Sequence, residues 1–133
     1  MIIPRGRRRR KWKLEITVVN VKIEYRTDPG GLRVDQVDGF FVGWQTRPSA
    51  ATLLAHLDAC YRCSIAVDTG GDRVVGFATA ISDGVLFAFL PLLEVLPGWH
   101  GRGIGAELLT RLTEQLGGLY IVRRTGVAGP GST

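Results

Sequence analysis

A chain of 133 residues has room for one domain, and 45% apolar against 22% charged residues excludes a disordered protein. Its 18 glycines follow no three-residue period, which excludes collagen, and two cysteines are too few for a disulfide-rich secreted scaffold. The net charge of +5 belongs to residues 1–13, which hold seven Lys/Arg and no acid; the other 120 residues hold ten bases and twelve acids, a balance of −2, so the basic character does not point to nucleic-acid binding by the folded body.

Residues 1–13 read as a flexible basic arm, either a solubilising tail or a salt-sensitive contact to phosphates with Trp12 stacking on a base. Nucleic acid is expected as a partner only through this arm. The start resembles a signal-peptide n-region, but Glu15 interrupts the apolar stretch after it and no small-residue cleavage site appears. The most apolar run, 85–95, is too short for a bilayer and contains Pro91 and Glu94. A soluble cytoplasmic protein with no membrane partner is expected.

The period-two pattern over 14–26 (Val19, Val21, Ile23, Tyr25 against Asn20, Lys22, Glu24, Arg26) predicts a strand with one buried face. Asp28, Pro29, Gly30 and Gly31 end it with turn chemistry. Residues 32–44 predict a short helix and then a loop holding Phe40, Phe41 and Trp44. Ser49 is placed to cap a helix carrying Leu53, Leu54, Leu57 and Tyr61. A hairpin comes next, with strands at 64–68 and 73–81 around the turn 69–72. The run 85–95 predicts a central strand buried on both faces, with a bulge at Pro91. A second helix carries Leu108, Leu109, Leu112 and Leu116 and ends at Gly117 and Gly118. Residues 119–122 predict a last strand, and 123–133 an irregular tail. The domain thus spans 14–122.

The chemistry concentrates where the central strand meets the second helix, at His100, Gly101, Arg102, Gly103, Ile104, Gly105 and Ala106. Glycines let a backbone approach a ligand closely. The first amides of a helix lack internal partners and sit at the positive end of its dipole, so they suit a phosphate or diphosphate. Gly101, Gly103 and Ala106 also fit a dinucleotide-binding spacing. That loop belongs early in a long βαβ array with an acid about 20 residues on, whereas only 27 residues follow Ala106 and offer Arg123 and Arg124. A nucleotide P-loop fails because no Lys-Ser/Thr follows the glycines.

The run from Val95 and Pro97 through His100-Gly101-Arg102-Gly103-Ile104-Gly105-Ala106 to Glu107-Leu108-Leu109 resembles the acetyl-CoA motif of the GNAT acyltransferases. In that family Gln or Arg is usual where His100 stands. The preceding element order is also similar, and the likeness covers about 22–122. The resemblance implies an α/β fold of the α+β, mixed-sheet kind: a GNAT-like acyl-CoA N-acyltransferase fold, shortened at its C-terminal end. It implies acetyl-CoA as cofactor, with the amides of 101–106 on the diphosphate, His100 and Arg102 beside them, and the backbone of Leu93 and Val95 along the pantetheine. The reaction implied is direct transfer of acetyl to a primary amine on a small molecule or peptide. Glu94, the only acid in the central strand, is the candidate base; its alternative is an ordinary strand residue facing solvent or pairing with an arginine. The family's usual Tyr-bearing segment after the fifth strand has no counterpart here. That raises the alternatives of an impaired CoA-binding or interaction protein, or a homodimer in which a second chain supplies the wall. No metal site is expected.

Cys60 and Cys63 have C-x-x-C spacing but no second ligand pair for zinc, and read as two ordinary thiols. His56 reads as a partly buried structural histidine. Asp35 and Asp38 either steer a cationic amine or are simply solvated.

Overall fold

The computed structural model describes residues 22–123 and 126–128. The basic arm, residues 14–21 of the first expected strand, and 124–125 and 129–133 of the expected tail lie outside the described residues. Strand β1 (Ile23–Arg26) keeps the expected alternation, with Ile23 and Tyr25 half-buried and Glu24 exposed. Its turn closes where Asp28 Oδ1 accepts from the Gly30 N–H. A single 3-10 turn at Val34–Gln36 stands in place of the expected short helix.

Helix α1 (Ala50–Ala59) opens as its sequence requires: Ser49 Oγ accepts from the Thr52 N–H at 3.1 Å. It buries Leu53 and Leu57, one turn apart. It stops before Tyr61, the last residue of the expected stripe. Cys60 adopts extended backbone, and the Tyr61 N–H donates to the Ala80 carbonyl of the sheet instead.

Strands β2 (Arg62–Asp68) and β3 (Arg73–Ser82) form the expected hairpin. Strand β4 (Phe87–Val95) pairs antiparallel with β3. Thr79 faces Leu92 and Ile81 faces Phe89, so Leu90 and Pro91 together oppose Ala80. The bulge falls on the one residue that cannot donate to a ladder. Helix α2 (Ile104–Glu114) then crosses to β5 (Tyr120–Arg123), parallel to β4. Parallel neighbours need such a crossover. Strand β6 (Gly126–Ala128) pairs antiparallel with β5, in a stretch whose composition predicts no strand. The described strands make one mixed sheet in sequential order, β1 to β6.

Helix α2 lies on one face. Ser64 Oγ donates to the Leu108 carbonyl at 2.7 Å, and Ile104, Leu108 and Leu112 are buried at four-residue spacing. Gly76 lets α2 approach, since a Cβ there would lie 2.9 Å from the Leu108 side chain and 3.1 Å from the Glu94 carbonyl. Leu109, expected on the buried stripe, is 39% exposed, because it sits about 100° around the helix from Leu108. Helix α1 and Phe40 lie on the other face: His56 Nε2 meets Thr79 Oγ1 at 2.9 Å, and Phe40 packs edge-on against Phe77 at 4.9 Å.

The expectation that β4 is buried on both faces is not met. Ala88 is buried beneath α2, whereas Phe87 and Phe89, on the opposite face, are 44% and 47% exposed. Nothing among the described residues covers that end of the sheet. Leu93 is exposed for another reason. Strand β5 follows β4 only over Phe87–Phe89, and beyond the Pro91 bulge the two part.

Candidate functional site

The loop into α2 starts with a 3-10 turn at Pro97–Trp99 and passes through Gly101 and Gly103, both at φ +79°. A side chain in that left-handed region costs roughly 1–2 kcal/mol, which explains the two glycines. No heavy atom lies within 4 Å of where a Cβ would stand on either, so the space outside them is open. Gly103 is the N-cap of α2 and has no side chain with which to cap it. The first intrahelical bond runs from the Glu107 N–H to the Gly103 carbonyl. The N–H groups of Ile104, Gly105 and Ala106 therefore meet no acceptor among the described residues, and they point outward at the positive end of the dipole. Glu107, an acid in this first turn, is turned along the helix onto Arg111 Nε at 2.6 Å.

A cavity of about 290 Å³ connects this loop to the free edge of β4, lined by Leu93, Val95, Trp99, His100, Gly101 and residues 103–105. The Leu96 N–H donates to the Val75 carbonyl, so Leu96, Glu94 and Leu92 turn their backbone groups toward β3. By alternation Leu93 and Val95 turn theirs away, toward the side β5 has left. His100 Nε2 donates to the Val95 carbonyl at 2.7 Å, which requires the hydrogen on Nε2 and leaves Nδ1 free of that bond. The Arg102 guanidinium stacks over the Trp99 ring at 4.6 Å, a cation held beside the helix N-terminus.

Glu94 points to the opposite face of β4 from Leu93 and Val95, the face it shares with its partner Phe77. It does not face solvent freely, and it pairs with no arginine among the described residues. Its Oε1 accepts from the Phe41 N–H at 2.9 Å. Phe41 sits at φ +65° with glycines 39 and 43 also at positive φ, and its ring packs edge-on against Trp44 at 4.8 Å. Glu94 thus clips a strained aromatic loop to β4 and keeps Oε2 outside that bond. A second cavity of about 300 Å³ lies beneath this loop, between residues 37–41 and the start of α1.

Leu93, Val95, His100, Gly101, Gly103, Ile104 and Gly105 come together around one cavity. Arg102 and Ala106 lie just outside its lining, and Glu94 is separated from it by the strand. Asp35 and Asp38 are neither free nor aimed at the site: they pair with Arg33 and Arg73 at 3.1 and 3.2 Å. The Arg33 guanidinium holds the Asp35 carboxyl below its ordinary range. His56 is partly buried and hydrogen-bonded, as a structural histidine would be. Sequence reasoning gives no role to Trp99 or to the Phe41 N–H. Trp99 carries a signal, an aromatic at the mouth of the glycine run. A backbone donor carries none. Among the described residues no helix is long and apolar enough to cross a membrane, and no cluster of three metal-ligating side chains occurs.

Residues 31–127 match the family described as Acetyltransferase (GNAT) family. A candidate acetyltransferase of Deinococcus radiodurans R1 is 39% identical with a TM-score of 0.73, over 76% of this chain and 71% of that one. A GNAT-family acetyltransferase of Streptococcus pneumoniae is 27% identical with a TM-score of 0.52, over 68% and 64% of the two chains. Arabidopsis thaliana NAA60, solved with a bisubstrate analogue, shares the fold at 16% identity and a TM-score of 0.57, over 75% and 73%. No curated protein matches the sequence.

Proposed function

The chain belongs to the GNAT acetyltransferase family, and from that premise we propose that it transfers the acetyl group of acetyl-CoA to a primary amine of a small molecule or peptide, by direct attack of the amine. The observation that carries this reading is the uncapped N-terminus of α2 opening onto the unpaired edge of β4. The residues present fit the donor: three outward amides, a glycine cradle that a Cβ would fill, and a flanking cation suit a diphosphate. When bound, acetyl-CoA supplies an acetyl thioester reactive toward amines.

In this reading the N–H groups of residues 104–106 and the Gly101–Gly103 backbone hold the diphosphate, with Arg102 adding charge at the rim. The outward backbone groups of Leu93 and the Val95 N–H take the amide-bearing arm as an added strand would be taken. His100 already occupies the Val95 carbonyl and so fixes the loop against the end of β4. Glu94 receives the proton of the incoming ammonium at Oε2, directly or through a water, while the Phe41 N–H holds Oε1. The aromatic loop 40–44 shields that carboxylate from bulk water. Free thiols at Cys60 and Cys63 suit a reducing compartment, and we place the enzyme in the cytoplasm.

Calorimetric titration with acetyl-CoA, and then thiol release over a panel of amines, tests the reading. Saturable binding and steady turnover are expected. Binding without turnover would leave a CoA-binding protein, and no binding at millimolar ligand would overturn the proposal. Glu94→Gln keeps an oxygen for the Phe41 N–H, so it should retain acetyl-CoA affinity while kcat falls about 10²–10⁴-fold. An unchanged rate at every pH would remove Glu94 from the mechanism.

A further inference from the structure

We propose that Arg73, at the start of β3, is a positioning residue for acetyl transfer: through Asp38 it holds the loop that aims the Phe41 N–H at Glu94. This rests on the reading of Glu94 as the proton acceptor. Among the described residues Glu94 meets one donor, the Phe41 N–H at 2.9 Å. What fixes that donor therefore fixes the carboxylate. Phe41 is left-handed at φ +65°, between Gly39 at +89° and Gly43 at +87°. A side chain in that region persists only where its surroundings hold the backbone there. On one side the Trp44 N–H donates to the Phe41 carbonyl at 3.1 Å and closes a turn.

The grip on the other side comes from the hairpin between β2 and β3. Asp72 Oδ1 accepts from Gln36 Nε2 at 2.9 Å, and Asp72 Oδ2 accepts from Arg33 Nη2 at 3.1 Å. Gln36 is buried, and its Oε1 accepts from the Arg33 N–H at 2.8 Å. These bonds fix the 3-10 turn at Val34–Gln36. Arg73 takes the chain on from there. Its Nη2 donates to the Asp38 carbonyl at 2.9 Å and to Asp38 Oδ1 at 3.2 Å. It also lies against Gly39, where a Cβ would come within 3.4 Å of Nη2. Arg73 Nε is buried and meets no acceptor among the described residues, so the guanidinium is placed to serve Asp38 rather than to satisfy all its own donors. After Asp38 only Gly39 and Phe40 precede Phe41. The Phe40 ring is packed edge-on against Phe77, the residue opposite Glu94 in the sheet.

The loop is thus tied to β3 by Arg73 and Phe77 and to β4 by Glu94. The ion pair between Arg73 and the exposed Asp38 carboxylate adds little to stability. Its bond to the Asp38 carbonyl is charge-assisted and directional, and sets where the backbone runs. A proton acceptor must lie within hydrogen-bond reach of the ammonium, so this hold is felt in the rate.

Arg73→Met keeps the stem and removes the donors. It should lower kcat about tenfold, since small misplacements of a reacting group are costly. The acetyl-CoA Kd should not change, because the cavity beside the glycine loop is separated from Glu94 by the strand. Arg73→Lys keeps a cationic donor and should restore most of the rate. In a Glu94→Gln background, Arg73→Met should alter kcat less than about twofold, because residues that act through one group are not additive. Amide exchange followed by NMR reads the hold without turnover. The Phe41 N–H should exchange about tenfold faster in Arg73→Met, while the amides of β2 and β3 keep their protection and establish that the variant is folded. Should Arg73→Met not fold, Arg73→Gln, whose amide stops short of Asp38, is read in the same way. An unaltered kcat in the folded variant overturns the proposal, as does a loss of equal size in both backgrounds. So does a loss of rate with the Phe41 amide still protected, which would assign the effect to charge alone. Full rate in Glu94→Gln removes the proton-acceptor reading itself and with it the role of Arg73 in transfer, while Phe41 exchange still shows whether Arg73 holds the loop.

Discussion

The N-termini of the two described helices are built in opposite ways. Ser49 closes α1 by accepting from the Thr52 N–H, whereas Gly103 leaves α2 open, at positive φ and beside a cavity. Both helices are anchored by buried leucines, Leu53 and Leu57 beneath one, Leu108 and Leu112 beneath the other. The first turns are where their chemistry differs. A side-chain cap is worth about 1 kcal/mol against alanine and a few tenths against glycine, and α2 forgoes it where its outward amides face open space. That openness is what the proposed diphosphate site requires.

If the helices differ only at their N-termini, Leu108→Ala and Leu53→Ala should destabilise the protein alike, by about 2–5 kcal/mol each in denaturant unfolding. A much smaller loss for Leu108→Ala would mean that α2 is not anchored as the buried stripe describes. Gly103→Val attacks the open end itself. It should cost roughly 1–2 kcal/mol of stability through the left-handed backbone. It should also weaken acetyl-CoA binding about 100-fold, since losing two charge-assisted hydrogen bonds amounts to about 3 kcal/mol. Titration calorimetry on the folded variant reads this, and retained affinity would separate the open amides from the donor.

Ser49→Ala is the matching change on α1. A loss of about 1 kcal/mol in stability with an unchanged acetyl-CoA Kd is expected, because that cap faces no ligand. The smallest effect belongs to Arg102→Ala. Affinity should fall only a few-fold at low salt, and the difference should shrink as salt rises, as for an exposed cation. A salt-independent loss would instead mark the Trp99 stack as the seat of the effect.

The glycine run is legible in the sequence because the chemistry is carried by the backbone and announces itself by where side chains are absent. His100 and residues 103–105 can be read from the glycine spacing, whereas Leu93 and Val95 follow only from the family resemblance; all of them line one cavity. The Pro91 bulge is legible because proline has no N–H to give. Glu94 is visible as an acid in an apolar strand, but its partner is not. The donor is the main-chain N–H of Phe41, 53 residues away, and no side-chain pattern encodes such a contact. The exposure of Phe87 and Phe89 escapes the sequence for a related reason. An apolar run reports that a strand is able to be buried, not whether anything lies over it.

Local rules, which act over a few residues, were therefore the legible part of the sequence: the Ser49 cap, the hairpin turn, the buried leucines of each helix (Leu109 and Tyr61 depart from the expected stripes), and the glycines that open the loop into α2. Three things waited for the tertiary structure, namely which strands part beyond Pro91, which face Glu94 takes, and what holds it. These depend on the register of one strand against another and on contacts between distant segments. Strand alternation fixes relative sides within one strand, and only the packing of α1 and α2 on opposite faces of the sheet decides which side is which.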